Sequence, residues 1–239
     1  MNQTRVALVT GANRGIGLQL CRQLAGSGFK TVLSSRDERL GAVAVQQLAV
    51  DGIEVLYCPM DVTKRFTVDR AIDFVLGACG RLDVLVNNAG ALLDEAPAPG
   101  ASAVLETTDA TLLDSFQVNA LGVYRVCRAA FPVMQDQGYG RIVNVTSGAG
   151  SLARMTSRHP AYRISKAAAN AVTRVFADLV GDADIKVNSA TPGWVRTDMG
   201  GPDADRDVAT AAAGIVPLTQ LPADGPNGEF FFDGQPVEW

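Results

Sequence analysis

The sequence predicts an α/β fold: a doubly wound, mostly parallel sheet of seven strands with helices on both faces, in a single domain spanning residues 1–239. Three observations point there. Short runs rich in Val and Ile recur along the chain, and they are apolar throughout, as strands covered on both faces are. Longer segments with helical spacing lie between them, which implies parallel strands joined by right-handed crossovers. No repeat or linker-like stretch breaks the alternation.

In chain order, strands are expected at Val6–Val9, Thr31–Leu33, Val55–Tyr57, Val84–Val86, Ile142–Val145, Ile185–Val187 and Glu229–Phe232, each bounded by turn residues. Helices are expected over roughly Gly15–Ser27, Arg39–Val50, Phe66–Cys79, Thr111–Gln137 and Ala161–Gly181. Two stretches fit neither pattern: Asp94–Thr108, with Pro97, Pro99 and Gly100, and Gly200–Asp207, with Pro202 and several aspartates. They are expected as mobile loops or short helices over a site.

Composition sets aside several classes of partner. With 239 residues, 47% hydrophobic and 19% charged, the chain can bury one large core. A net charge of -4 provides no broad basic field for nucleic acid or acidic membrane surfaces. Met1 to Arg5 runs into Val6–Val9 without the pattern of a secretory signal, so the cytoplasm is the default compartment. No apolar run reaches the length of a membrane span. Cys21, Cys58, Cys79 and Cys127 are widely spaced and read as reduced core thiols, not metal ligands. His159, just before Pro160, reads as a surface or capping side chain, and no metal is expected.

The first strand leads into Thr10-Gly11-Ala12-Asn13-Arg14-Gly15-Ile16-Gly17 and then a helix. Glycines in such a turn let backbone approach a pyrophosphate, and the helix N-terminus attracts its charge. The second strand ends in Ser34-Ser35-Arg36-Asp37, with a neutral Ser35 followed by a cation. Arg14 and Arg36 together suit the 2′-phosphate of NADP(H). Asp37 argues the other way: it pairs with Arg36 or, in a shifted register, takes a ribose itself.

Tyr162 and Lys166 stand four apart on an expected helix, hence on one face. A tyrosine pKa near 10 must fall by roughly 3 units for proton exchange near neutrality, and a lysine one turn away supplies part of that. The pair follows Thr146-Ser147 at the end of a strand, and coexists in order with Asn87-Asn88-Ala89-Gly90, Asn119, and Asn188 to Gly193 followed by Thr197.

In this order the set resembles the classical short-chain dehydrogenase/reductase family, with its Rossmann-type fold, over essentially the whole chain. Asn13–Gly17, Arg36-Asp37, Leu82–Gly90 and the ending Gly228 to Trp239 look like the NADPH-dependent carbonyl reductases within it. The resemblance implies NADPH as cofactor and a small-molecule carbonyl (aldehyde, ketone or quinone) as substrate. An NAD-dependent alcohol dehydrogenase, a ketoacyl-thioester reductase and a non-catalytic dinucleotide-binding regulator are the alternatives. It further implies that Tyr162 protonates the carbonyl oxygen, that Lys166 holds the nicotinamide ribose and lowers the tyrosine pKa, that Ser147 binds the oxyanion, and that Asn119 holds a relay water. Gly11, Asn13, Arg14, Gly15, Ile16, Gly17, Ser35 and Arg36 would hold the phosphates. Asp61 and Val62 would grip adenine, Asn87, Ala89 and Gly90 would line the adenosine side, and Pro192, Gly193, Val195 and Thr197 would orient the nicotinamide amide.

Ser147 precedes Tyr162 by 15 positions, slightly more than the family's usual spacing, and Ser151, at 11, competes with it. The 28 residues between Gly90 and Asn119 also exceed the usual connection. Leu92, Leu93, Leu152, Trp194 and Met199 fall near the presumed mouth by chain order, as pocket or as core. Monomeric carbonyl reductases of the family carry a helical insertion before the tyrosine. It is missing here, so Thr111–Gln137 and Ala161–Gly181, with Ala167, Ala168, Ala169 and Ala171, are expected to pair across a two-fold axis in a homodimer or homotetramer.

Overall fold

The computed structural model describes residues 4–239; of the segment Met1–Arg5, residues 1–3 lie outside the described residues. One sheet runs through the molecule in the order β3-β2-β1-β4-β5-β6-β7-β8. Its strands are β1 (Val6–Val9), β2 (Lys30–Ser35), β3 (Leu56–Pro59), β4 (Val84–Asn87), β5 (Tyr139–Val145), β6 (Asp184–Thr191), β7 (Phe230–Phe232) and β8 (Gln235–Pro236). The first seven pair in parallel and match the expected runs. The eighth, two residues long, turns back antiparallel at Asp233-Gly234 and closes the edge.

The strands are apolar without alternation because each face has its own core. On β1, Val6 and Leu8 join Val68, Val75, Val126, Phe131 and Phe176 on one side. Ala7 and Val9 join Leu20, Leu24, Leu33 and Leu48 on the other. The helices supply these layers: α1 (Gly15–Gly26), α2 (Glu38–Val50), α3 (Arg65–Cys79), the one-turn α4 (Ala103–Glu106), α5 (Asp109–Phe116), α6 (Gly122–Gln137), α7 (Pro160–Asp178) and α8 (Val208–Ala213).

Three features depart from the sequence expectation. The helix expected over Thr111–Gln137 is broken by a π-helical turn, Gln117–Leu121, between α5 and α6. The stretch Asp94–Thr108 contains the short helix α4, as expected, whereas Gly200–Asp207 is tied down and not a mobile loop: Arg206 bonds both carboxylate oxygens of Asp233 at 2.7 and 2.6 Å, and Asp207 caps α8 through Thr210 N. The helix α8 was not foreseen at all.

The cysteines are free thiols. Cys21, Cys58 and Cys127 are buried and Cys79 half-buried. Burial pushes the Cys58 thiol up to about 11 and that of Cys127 to about 12. Among the described residues no group of three or more His, Cys, Asp or Glu side chains is arranged to hold a metal, and no helix is long and apolar enough to cross a membrane.

Between the sheet and α7 runs a buried polar ladder. Asn87 Nδ2 donates to Asn144 Oδ1 at 2.8 Å, Asn144 Nδ2 donates to Thr173 Oγ1 at 2.8 Å, and Thr173 shares a hydrogen bond with Ser189 at 2.7 Å. It links β4, β5, α7 and β6.

Candidate active site

The strand order reverses between β1 and β4, and at such a switch point the loops leaving neighbouring strand ends part to leave a crevice. The turn after β1 lies on one side of it. Gly11 has φ 61°, and a Cβ there would stand 2.7 Å from Ala89 Cα, so the turn and the end of β4 touch backbone to backbone. Asn88 fastens them, donating to Thr10 O and Gly11 O at 3.0 Å each, while Thr10 Oγ1 accepts from Asn88 N and Ala89 N. No side chain caps the start of α1, at Arg14, so Gly15, Ile16 and Gly17 present their amides there as an anion would need. Asn13 is half-buried in the turn.

At the end of β2, Ser35 is turned inward, its hydroxyl donating to Asp37 O at 2.9 Å. Asp37 makes no ion pair with Arg36; one oxygen of its exposed carboxylate accepts from Leu40 N at 2.9 Å as the N-cap of α2. Arg36 is left exposed. Asp61, after β3, is half-buried. Burial would raise its pKa, but hydrogen bonds from the Thr63 hydroxyl and amide, with Lys64 and Arg36 nearby, hold its carboxyl below the ordinary value. Val62 is buried against Gly122. Arg14, expected to share a phosphate with Arg36, is paired with Asp198 across the crevice.

Asn87 is buried, its Nδ2 committed to the ladder and its Oδ1 without a partner, so a contact with a nucleotide falls to its backbone. Gly90 lies over the reaction centre: a Cβ there would be 3.2 Å from both Asn119 Oδ1 and Lys166 Nζ. After β6, Pro192 and Gly193 (φ 77°) lead to Val195, buried and bridged to Arg206, and to Thr197, whose methyl meets the position of a Gly15 side chain at 3.4 Å. The segment therefore reaches over to the glycine turn.

The reacting groups sit on α7 and the end of β5. Tyr162 is in the first turn of α7, and Ser147, whose hydroxyl accepts from Ala149 N at 3.1 Å, is near enough to its phenol to lower the pKa. Ser151, the competitor, is buried, and its hydroxyl has no partner. Lys166, one turn on, brings Nζ to 5.7 Å from the Tyr162 ring and 3.0 Å from Val145 O. The expected lowering of the tyrosine pKa is not present in this state: burial raises it, and Ser147 offsets only part. Lys166 instead yields, lowered by burial to about 8.

Asn119 lies in the π-turn, fully buried. Its side chain accepts from Ala91 N and donates to Ala91 O, both at 2.8 Å, and donates to Ser165 Oγ at 2.9 Å. Leu93, Leu152, Trp194 and Met199 are exposed, which excludes them from the core, and Met155 joins them. His159 occupies the cap position of α7 without making a side-chain cap bond; that task falls to Asp94, which sequence reasoning passed over because it lies 67 residues from Ala161.

A glycine turn at the switch point, with half-buried Tyr162 and Ser147 beside the buried Lys166, fits an oxidoreductase. The chain belongs to the short-chain dehydrogenase family, which it matches over residues 5–207. It is 33% identical to "Carbonyl reductase [NADPH] 1" of Bos taurus over 283 aligned positions, covering 98% of each chain, and 31% identical to "(+)-neomenthol dehydrogenase" of Arabidopsis thaliana, again covering 98% of each. Among solved structures it is similar to salutaridine reductase from Papaver somniferum (29% identity, TM-score 0.82, covering 96% of this chain and 99% of that one). It is also similar to a variant of actinorhodin polyketide ketoreductase with NADPH (27% identity, TM-score 0.83, covering 96% and 95%).

Proposed function

We propose that this protein reduces the carbonyl group of a small, largely apolar molecule to an alcohol with NADPH, Tyr162 giving the proton. The observation that carries the reading is the buried ammonium of Lys166, 5.7 Å from the Tyr162 ring, with Ser147 beside the phenol. The crevice fits the coenzyme: the backbone-to-backbone approach at Gly11, the uncapped start of α1 and the exposed Arg36 suit a phosphorylated dinucleotide. Asp37, the residue that would favour a free ribose 2′-hydroxyl, has one carboxylate oxygen engaged at Leu40 N. Similarity to carbonyl reductases supports the same choice.

When bound, NADPH supplies the hydride to the carbonyl carbon. Ser147 donates a hydrogen bond to the oxygen on which charge develops, and Tyr162 transfers its proton there. The raised pKa of the phenol suits this direction, since it keeps the hydroxyl protonated until the oxygen becomes basic. Lys166 orients the nicotinamide ribose and, charged, stabilises the tyrosinate that follows. The Asn119 side chain, proposed to hold a relay water, is engaged by Ala91 and Ser165, so that water would have to meet it beside these partners. Leu93, Leu152, Met155 and Trp194 are exposed apolar side chains on the segments that follow β4, β5 and β6, and such side chains would favour apolar substrates.

The test is a screen of NADPH oxidation over aldehydes, ketones, quinones and β-ketoacyl thioesters. NADPH should be preferred over NADH. Arg14→Ala combined with Arg36→Ala should remove two charge-assisted contacts worth on the order of 3 kcal/mol, about 100-fold in kcat/KM for NADPH, with little change for NADH. Tyr162→Phe should lose on the order of 1000-fold in kcat while binding NADPH normally. Equal kcat/KM for the two coenzymes would overturn the NADPH assignment. Undiminished turnover by Tyr162→Phe would overturn the mechanism.

A further inference from the structure

The first turn of a helix has amides that no carbonyl of its own can accept. In α7 the count can be completed. Pro160 has no N–H, and Arg163 N donates to His159 O at 3.0 Å. Ala161 N and Tyr162 N remain, and they donate to the two carboxylate oxygens of Asp94 at 2.8 and 2.9 Å. His159, in the cap position with a left-handed backbone at φ 50°, makes no side-chain cap bond.

Asp94 differs from the other carboxylate caps. Asp37 and Asp207 each accept from an amide three residues ahead, and so stabilise only their own helix start. Asp94 reaches its helix from the connection after β4, and that connection is also held at its beginning, where Asn119 takes both Ala91 N and Ala91 O. Residues 91–94 are thus a strap pinned at one end to the π-turn and at the other to the backbone of Tyr162.

We infer that Asp94 is a positioning residue for the reaction: its carboxylate fixes the first turn of α7, and with it the entry of the Tyr162 phenol, relative to the strap carrying Leu92 and Leu93. The inference rests on the reading of Tyr162 as proton donor. A first turn without such a tie frays, and a displacement near 1 Å at a reacting group costs on the order of 100-fold in rate.

Asp94→Ala should lower kcat about 50-fold per coenzyme-binding site, with the Kd for NADPH within twofold of the unmodified protein. Asp94→Asn, which retains one strong acceptor oxygen, should lose about fivefold. Asp207→Ala serves as the comparison for loss of a helix cap as such, lowering the melting temperature while keeping kcat. If Asp94→Ala melts earlier but keeps kcat within twofold, Asp94 is only a cap and the inference falls. Should Asp94→Ala not fold, Asp94→Asn decides, and an unchanged kcat overturns the assignment. Turnover by Tyr162→Phe would instead remove the underlying reading, so the two failures are told apart.

Discussion

Burial strips water from the Lys166 ammonium and leaves it beside Val145 O and an aromatic ring, and its pKa falls to about 8. The consequence for stability follows from linkage. Between about pH 8 and the ordinary lysine value of 10.5 the unfolded chain holds a proton that the folded one has released, so stability rises with pH across that window. Below it the folded state bears the full cost of a buried charge. Lys166→Met should therefore melt about 5 °C higher at pH 7, the gain shrinking between pH 8 and 10.5, while turnover collapses. Calorimetry across that range checks it; a lower melting temperature at pH 7 would show that the Val145 bond outweighs desolvation. The residues proposed to bind the coenzyme could be picked out singly because glycines and arginines have definite chemistry. The inward turn of Ser35, the commitment of Asp37 to α2 and the pairing of Arg14 with Asp198 were not, because each depends on what the fold brings alongside.

At the scale of elements, seven strands and most helices could be read from apolar runs and spacing, since a strand with two covered faces leaves a compositional mark. The π-turn leaves none. It uses the residue types of an ordinary helix and inserts one residue into the turn, so Thr111–Gln137 reads as a single helix while the structure re-aims Asn119 toward Ala91 and Ser165. The strand β8 is too short for a periodic signal, and the Asp94 cap gives no local one. Asn119→Leu keeps the volume but leaves Ala91 N and Ala91 O without their partner. It should cost about 2–4 kcal/mol, a melting temperature lower by about 8 °C, together with most of the activity. A variant as stable and active as the parent would mean that the strap finds water as an adequate substitute.

For the whole molecule, the outer face of α7 bears on assembly. Ile164, Val175 and Leu179 are exposed on it, with Ala168 and Ala171 between them at helical spacing, and Leu113 and Phe116 of α5 and Tyr124 of α6 are exposed as well. Ala169, by contrast, is spent in the chain's own core. The aligned length shared with the bovine reductase exceeds this chain, so that relative has residues with no counterpart here. The proposal of a homodimer or homotetramer through these helices predicts a mass by light scattering of two or four 25.1 kDa chains, and dissociation by Ile164→Glu with Val175→Glu. A single-chain mass at micromolar concentration refutes it.

The ladder from Asn87 through Asn144 and Thr173 to Ser189 has a consequence for how this chain comes together. Its successive members lie 57, 29 and 16 residues apart in sequence, and its central amide, Asn144, is sealed from water. A collapsed chain with β4 and β5 paired but α7 not yet docked would hold that amide half-satisfied in an apolar layer, a costly arrangement. The ladder thus penalises partial assemblies, including those in which α7 settles one turn out of place, and makes the arrival of α7, with Tyr162 and Lys166 on it, an all-or-nothing event.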